Sequence, residues 1–220
     1  DIIRNTDCPP LRIMEVCGTH THEIFRLGIR KILPDHITMI SGPGCPVCVT
    51  PTSYIDEAVL LAAEKNVTIC TFGDLVRVPG TERSLADVRA AGGEVMTVYS
   101  PLDAEAYARE HPEKQVVFLS VGFETTTPAD CLSVRAAEQD GIRNYAILTS
   151  NKTMPEAYHA MAGSTDVFLY PGHVHVITGT GICRELREKG VSGVVAGFTA
   201  AELTTAIAAI VLRAKTGEPF

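Results

Sequence analysis

Five soft donors fall in two short stretches, Cys17, His20 and His22 in CGTHTH and Cys45 and Cys48 in GPGCPVCVTP. The spacing of Cys45 and Cys48 lets their thiols close a small disulfide or chelate one metal ion, and a helix N-terminus following them would favour a thiolate. Pro43, Pro46 and Pro51 restrict that segment, while Gly42 and Gly44 admit close backbone approach. A stiff, exposed turn is expected there rather than a core segment. In CGTHTH, helical spacing puts Cys17 and His20 on one face and swings His22 away, so the three converge only on a loop, which Gly18 favours. Two soft donors on one loop and two more on the next suit zinc or iron. On these residues alone, a redox pair and a metal site both stay open.

Two further motifs lie in the second half, GFETTTP (Gly122 to Pro128) and PGHVHVITG (Pro171 to Gly179). Glu124, just past an apolar run and followed by Thr125 and Thr126, is placed to orient a histidine ligand or to handle protons. The plainer alternative is a helix N-terminus capped by Thr126 or Thr127, with Glu124 solvated. His173 and His175 alternate along what reads as a continuing strand, one into a crevice and one away, and Pro171 and Gly172 favour His173 at the open edge.

These residues need elements to hold them. Val- and Ile-rich runs recur at LRIMEV, HITMIS, VTICTF, EVMTVYS, QVVFLSV, YAILTS, VFLYP and GVVAGF, each followed by a loop and a helix-like segment. Helix punctuation agrees: Ser53 and Ser84 as N-caps with an acid three residues on, Asn66, Gly92 and Gly141 as stops, Pro155 in a first turn. The alternation predicts an α/β fold with parallel strands covered by helices. Two similar Rossmann-like domains with four-stranded sheets are expected, with a (β/α)₈ barrel as the alternative. The most polar bridge, SPLDAEAYAREHPEKQ, sets the division at 1–113 and 114–220. Cys17, Cys45, Cys48, Glu124, Asn151 and His173 then all follow strand ends, where a parallel sheet gathers its ligands. Cys70, Cys131, His159 and Cys183 fall inside strands or helices and read as structural.

The 220 residues are 45% hydrophobic and 20% charged, with a net charge of -7. Without a Lys/Arg-rich run, nucleic acid is not an expected partner. The apolar runs are far shorter than the roughly 20 residues that cross a bilayer, and the N-terminus lacks a basic region followed by an apolar one. No membrane association and a cytoplasmic location are expected. Seven cysteines, an odd number mostly within or after apolar runs, argue against a secreted disulfide framework.

In that order, CGTHTH, GPGCPVCVTP, GFETTTP and PGHVHVITG closely resemble the HypD family of hydrogenase maturation factors, along essentially the whole chain. The resemblance implies a scaffold for assembling the Fe(CN)₂CO group of nickel-iron hydrogenases, working with a small HypC-like chaperone, receiving cyanide from a HypE-like donor and serving the hydrogenase large subunit indirectly. It implies two similar α/β domains plus a third. It implies Cys17 as the protein ligand to the iron, shared with a HypC cysteine, with His20 beside it as a metal residue and His22, Thr125 and Thr126 near the cofactor. Cys45 and Cys48 would be the thiol/disulfide pair, with Glu124 and His173 completing the cleft. The family holds a 4Fe-4S cluster on four cysteines of a C-terminal domain; no cysteine follows Cys183 here, so a fragment or a member without the cluster is expected. The family's glutamate after the last strand is replaced in GFTAAEL by Thr199, so no role is carried there. Two competing functions are a thioredoxin-like thiol-disulfide oxidoreductase and a zinc-bound protein-interaction module.

Overall fold

In the computed structural model, which describes residues 1–217, each of the eight apolar runs forms a strand. In chain order the elements are α1 (Ile2–Asn5), β1 (Leu11–Glu15), α2 (Gly18–Arg26), α3 (Ile29–Ile32), β2 (Ile37–Ser41), α4 (Thr52–Ala63), β3 (Val67–Thr71) and α5 (Leu85–Ala90). They continue with β4 (Glu94–Thr97), α6 (Pro101–Glu110), β5 (Gln115–Ser120), α7 (Thr127–Gln139), β6 (Tyr145–Thr149) and α8 (Met154–Met161). The last are β7 (Val167–Pro171), α9 (Gly172–Thr178), α10 (Gly181–Glu188), β8 (Gly193–Ala196) and α11 (Ala200–Thr216). Among the described residues the strands form two four-stranded, all-parallel sheets, ordered β2-β1-β7-β8 and β4-β3-β5-β6. These are two open sheets, not a closed barrel.

Each sheet belongs to one compact unit. The first unit is Asp1–Cys45 with the chain from Thr153 onward, and the second is Pro46–Lys152. The division expected at residue 113 therefore does not coincide with the sheets. The polar bridge that suggested it is α6, an amphipathic helix whose inner Ala104 and Ala108 pack into the core beneath β5. Its buried Glu105 is matched by Arg109 at 2.8 Å, so a polar outer face concealed a covering helix.

In the first unit, alternation along the strands sends successive side chains to opposite faces. Val167 and Leu169 of β7 join Leu11, Ile13, Ile24, Leu203, Ile207 and Ile210 in one core. Phe168 and Tyr170 face the other way and pack, tilted, against Tyr158 of α8, at centroid distances of 5.5 and 4.7 Å. Covering both faces explains why the strands are apolar throughout. In the second unit α4 and α5 pack on Ile69, Val95 and Leu119, while α6 covers Cys70, Val116 and Phe118.

Ser84 caps α5 in a reciprocal box with Asp87, as expected. Ser53 does not cap: extended Pro51 precedes α4, and Ser53 sits exposed in its first turn. Asp56, the acid expected to answer Ser53, instead accepts the backbone N–H and hydroxyl of Thr81, both at 2.6 Å. Among the described residues no helix is long and apolar enough to cross a membrane.

Candidate functional site

In the first sheet the chain runs from β1 outward to β2 on one side and from β7 to β8 on the other. The carboxyl ends of β1 and β7 therefore flank a switch point, the place where open parallel sheets take ligands. Cys17 stands two residues past β1 and His173 two past β7.

CGTHTH is not a loop. Cys17 occupies the N-cap position of α2, with extended backbone at φ -145° and ψ 128°, and its carbonyl accepts the Thr21 N–H at 3.0 Å. Fully buried Ile24 draws the helix onto the sheet, which outweighs the weak preference of Gly18 for irregular backbone. The helix separates the two histidines as its period requires: His20 is 0% exposed, and His22 lies on the exposed face. The structure thus buries both Cys17, at the start of α2, and His20 within it, and leaves His22 on the exposed face.

The second cysteine motif is seated on the first by its glycines. The Gly42 N–H donates to the Glu15 carbonyl at 2.7 Å, and the Gly18 N–H to that of Gly44 at 3.2 Å. A Cβ on Gly44 would stand 2.1 Å from the Cys17 nitrogen, and one on Gly18 would meet the Cys45 Cβ at 3.8 Å. Cys45 accordingly lies beside the start of α2. Past it, residues 46–49 form a turn, pinned where the Thr50 hydroxyl donates to the Pro46 carbonyl at 2.9 Å. Val47 packs into the second unit's core, and Cys48 is exposed. The following helix, α4, starts at Thr52 rather than at the cysteine.

Two histidine rings in the first unit flank Phe198, His20 at 4.6 Å and His173 at 5.1 Å between centroids. His173 and His175 lie on helix α9 and not on a continuing strand. Two helical steps still send them to different sides: His175 is buried against Tyr170 and donates from Nδ1 to the Gly179 carbonyl at 3.3 Å. His20 Nε2 donates to the Gly197 carbonyl at 2.9 Å. The Nδ1 atoms of His20 and His173 are buried with no hydrogen-bond partner among the described residues.

Burial pushes the His20 imidazole below its ordinary value; its bonds to the Gly197 and Ala196 carbonyls oppose this, and His173 adds to it. Burial, then the neighbouring His175, lowers His173 likewise. A histidine depressed in the folded state takes up its proton on unfolding, so its stabilising contribution is complete above the ordinary value of 6.5 and is lost as pH falls toward the folded-state value. Thermal unfolding of the metal-free protein should accordingly show a Tm that drops between about pH 7 and pH 5, with a shallower drop in His20→Gln. Equal slopes for both proteins would refute the assignment.

The second sheet repeats the topology, with its switch point at the carboxyl ends of β3 and β5. GFETTTP turns there into α7. A Cβ on Gly122 would lie 1.6 Å from the Thr126 hydroxyl, so only glycine allows the turn to close. Thr126 and Thr127 donate to the Phe123 carbonyl at 3.1 and 3.0 Å. Thr126 thus holds the N-cap position without capping an amide. Glu124 is half-buried and Thr125 exposed on this turn. Behind it, Ser120 donates to Asp130 at 2.5 Å and Asn151 Nδ2 to both, at 2.8 and 2.9 Å.

Sequence reasoning passed over Phe198, Asp130 and Glu15. Glu15, fully buried, accepts from Arg30 at 3.0 Å and from the Ser41 hydroxyl at 2.7 Å; the signal was an acid inside an apolar strand. Among the described residues no three His, Cys, Asp or Glu side chains gather as a metal site. Cys8, Cys70, Cys131 and Cys183 lie on separate segments, which does not suit the four-thiolate binding of a 4Fe-4S cluster.

A family model described as "HypD: Hydrogenase formation hypA family" matches residues 2–220. The chain is 40% identical over 222 residues to the hydrogenase maturation factor HypD of Rhodobacter capsulatus, covering 99% of this chain and 59% of that protein. It is 43% identical over 175 residues to HypD of Escherichia coli K12, covering 78% and 47%. Against HypD of Azotobacter vinelandii the identity is 40% over 217 residues, covering 94% and 57%. The chain spans about half the length of these relatives.

Proposed function

Because the chain belongs to the HypD family, we propose that it is the α/β part of a scaffold for nickel-iron hydrogenase maturation, on which iron is held while its CO and cyanide ligands are assembled. The observation that supports this reading is that Cys17, two residues past β1 beside the first switch point, is followed on the same helix by the buried His20. Iron is here cargo and not a resident cofactor. The Cys17 thiolate would be one ligand, and the open Nδ1 of His20 is a second donor of suitable chemistry. Two donors leave coordination positions for diatomic ligands and for a residue of a small HypC-like partner. A HypE-like protein would deliver cyanide, and the hydrogenase large subunit would receive the product through the partner.

His173 would serve positioning at the first switch point, and Glu124, with Thr125 and Thr126, would serve proton movement at the second. No step is assigned to a 4Fe-4S cluster, whose ligands these residues do not supply. The proposal is tested by infrared spectroscopy of the chain copurified anaerobically with its HypC-like partner. Bands in the CN and CO stretching region that vanish on iron removal are expected; an iron-free complex without such bands overturns the reading.

Cys45 and Cys48 would act as the thiol/disulfide pair. A standalone thioredoxin-like oxidoreductase is disfavoured because α4 opens four residues beyond Cys48 and so does not place a helix N-terminus on the thiol. A closed structural zinc site is disfavoured because it needs four grouped ligands. In air-exposed protein, differential alkylation should find Cys45 and Cys48 protected together, and labelled together after mild reduction. Reduction should leave the fold intact, since so small a loop adds little chain-entropy stabilisation. A dominant bridge from either cysteine to Cys17 would sink the pair assignment.

A further inference from the structure

We infer that Phe198 is a positioning residue for the two inward histidines of the first unit, and that the Gly197 carbonyl beside it decides which nitrogen of His20 is left open. The inference rests on the reading of His20 as facing the iron cargo. The turn that holds both groups looks, in the sequence, like an ordinary helix start. Glu202 accepts from the Phe198 N–H at 3.1 Å, the Thr199 N–H at 3.0 Å and the Thr199 hydroxyl at 2.7 Å. The Thr199 hydroxyl in turn accepts the Glu202 N–H at 3.3 Å, completing a capping box for α11. A Cβ on Gly197 would stand 2.3 Å from the Glu202 carboxyl carbon. Glycine at 197 is what allows the carboxylate to close over the turn, and α11 is itself fixed by Leu203, Ile207, Ile210 and Val211 in the core.

Two consequences follow for the histidines. A carbonyl can only accept, so the 2.9 Å contact to Gly197 requires the hydrogen of neutral His20 on Nε2 and leaves the Nδ1 lone pair open. Metal-binding imidazoles are generally held this way, one nitrogen donating to a backbone carbonyl or carboxylate and the other facing the metal. Meanwhile the Phe198 ring stands against both imidazoles, tilted 40° to His20 and 51° to His173. Its bulk keeps the rings from rotating or collapsing into the space it fills. One turn after β8 thereby sets both a ring orientation and a tautomer at the ends of β1 and β7.

The test uses the ¹⁵N-labelled, metal-free 220-residue chain. The imidazole spectrum should show a slowly exchanging His20 Nε2–H together with an unprotonated Nδ1. In Phe198→Ala, exchange of that proton should be about tenfold faster, the change expected for losing one hydrogen bond of ordinary net strength. Ferrous iron, added anaerobically, should bind correspondingly more weakly. Phe198→Leu, which keeps apolar bulk without a flat ring, should fall between the two proteins. Glu202→Gln, which loosens the turn without touching either ring, should move the same resonances in the same direction. Should Phe198→Ala fail to fold, Phe198→Leu and Glu202→Gln carry the test. Wild-type exchange rates and nitrogen shifts in the folded variants would overturn the inference, whatever the iron result. If the wild-type protein bound no ferrous iron while the resonances moved as stated, the iron reading would fail and the positioning role would stand.

Discussion

Cys17→Ala is expected to abolish iron retention in the complex with the HypC-like partner while leaving the chain folded. The thiol sits at an N-cap position and makes no capping hydrogen bond, so what it contributes to the fold is the packing of one small buried group. Losing that group costs about 1 kcal/mol, which for a chain of this size lowers Tm by about 2–4 °C. If Cys17 is one of two protein donors, as proposed, its loss removes the iron altogether. Metal analysis of anaerobically copurified complex, set beside a melting curve, separates the two effects. Iron at the wild-type ratio in Cys17→Ala would rule out the ligand assignment. In the same assay His20→Ala should lose more iron than His22→Ala, because only the first ring faces inward from α2.

The second large effect is expected at Gly44, where a single methyl group should both destabilise the first unit and dislodge Cys45. Its Cβ would lie 2.1 Å from the Cys17 nitrogen and the Val16 carbonyl carbon and 2.3 Å from the Cys17 Cα. All three are backbone atoms at the end of a buried strand, so no side chain can swing aside and the loop itself must move. Overpacking of this kind costs about 1–3 kcal/mol, read as a lower urea midpoint at unchanged slope. Gly28→Ala is the informative control. Gly28 has φ +65° with nothing within 4 Å of a new Cβ, so its substitution costs only the roughly 1–2 kcal/mol of a left-handed alanine. That change should leave Cys45 alkylation untouched, whereas Gly44→Ala should accelerate it. Equal alkylation rates in the two variants would mean that Gly44 does not seat the cysteine loop.

Much of the framework was legible in local pattern. All eight strands lie where Val- and Ile-rich runs are bounded by turn residues, because burial on both sheet faces demands side chains that are apolar and β-branched. Stops were equally readable: Asn66, Gly92 and Gly141 all adopt the positive φ expected of them. The division of the chain was not legible. A polar stretch looks alike whether it is a linker or the outer face of a covering helix, and only the inward Ala104 and Ala108 of α6 distinguish them. Helix start sites failed for a related reason. Ser53 has the residue type of a cap, but its acid partner Asp56 is claimed by Thr81, twenty-five residues away in sequence.

The sequence by itself determined the chemistry on offer: which thiols, imidazoles and carboxylates exist, their spacing, and their place just beyond strand ends. Tertiary structure decided how they meet. Parallel neighbours are joined through long crossovers, so local periodicity carries no record of strand order, and the pairing of β1 with β7 that brings Cys17 and His173 to one switch point had to come from packing. The same holds for orientation. CGTHTH carries enough glycine and threonine to read as a loop, yet burial of Ile24 winds it into a helix, and that winding turns His20 inward and His22 out. Phe198 and the Gly197 carbonyl reach His20 across 177 residues of sequence, a distance over which only the folded chain, with α11 locked into its core, can set the plane and the proton of a side chain.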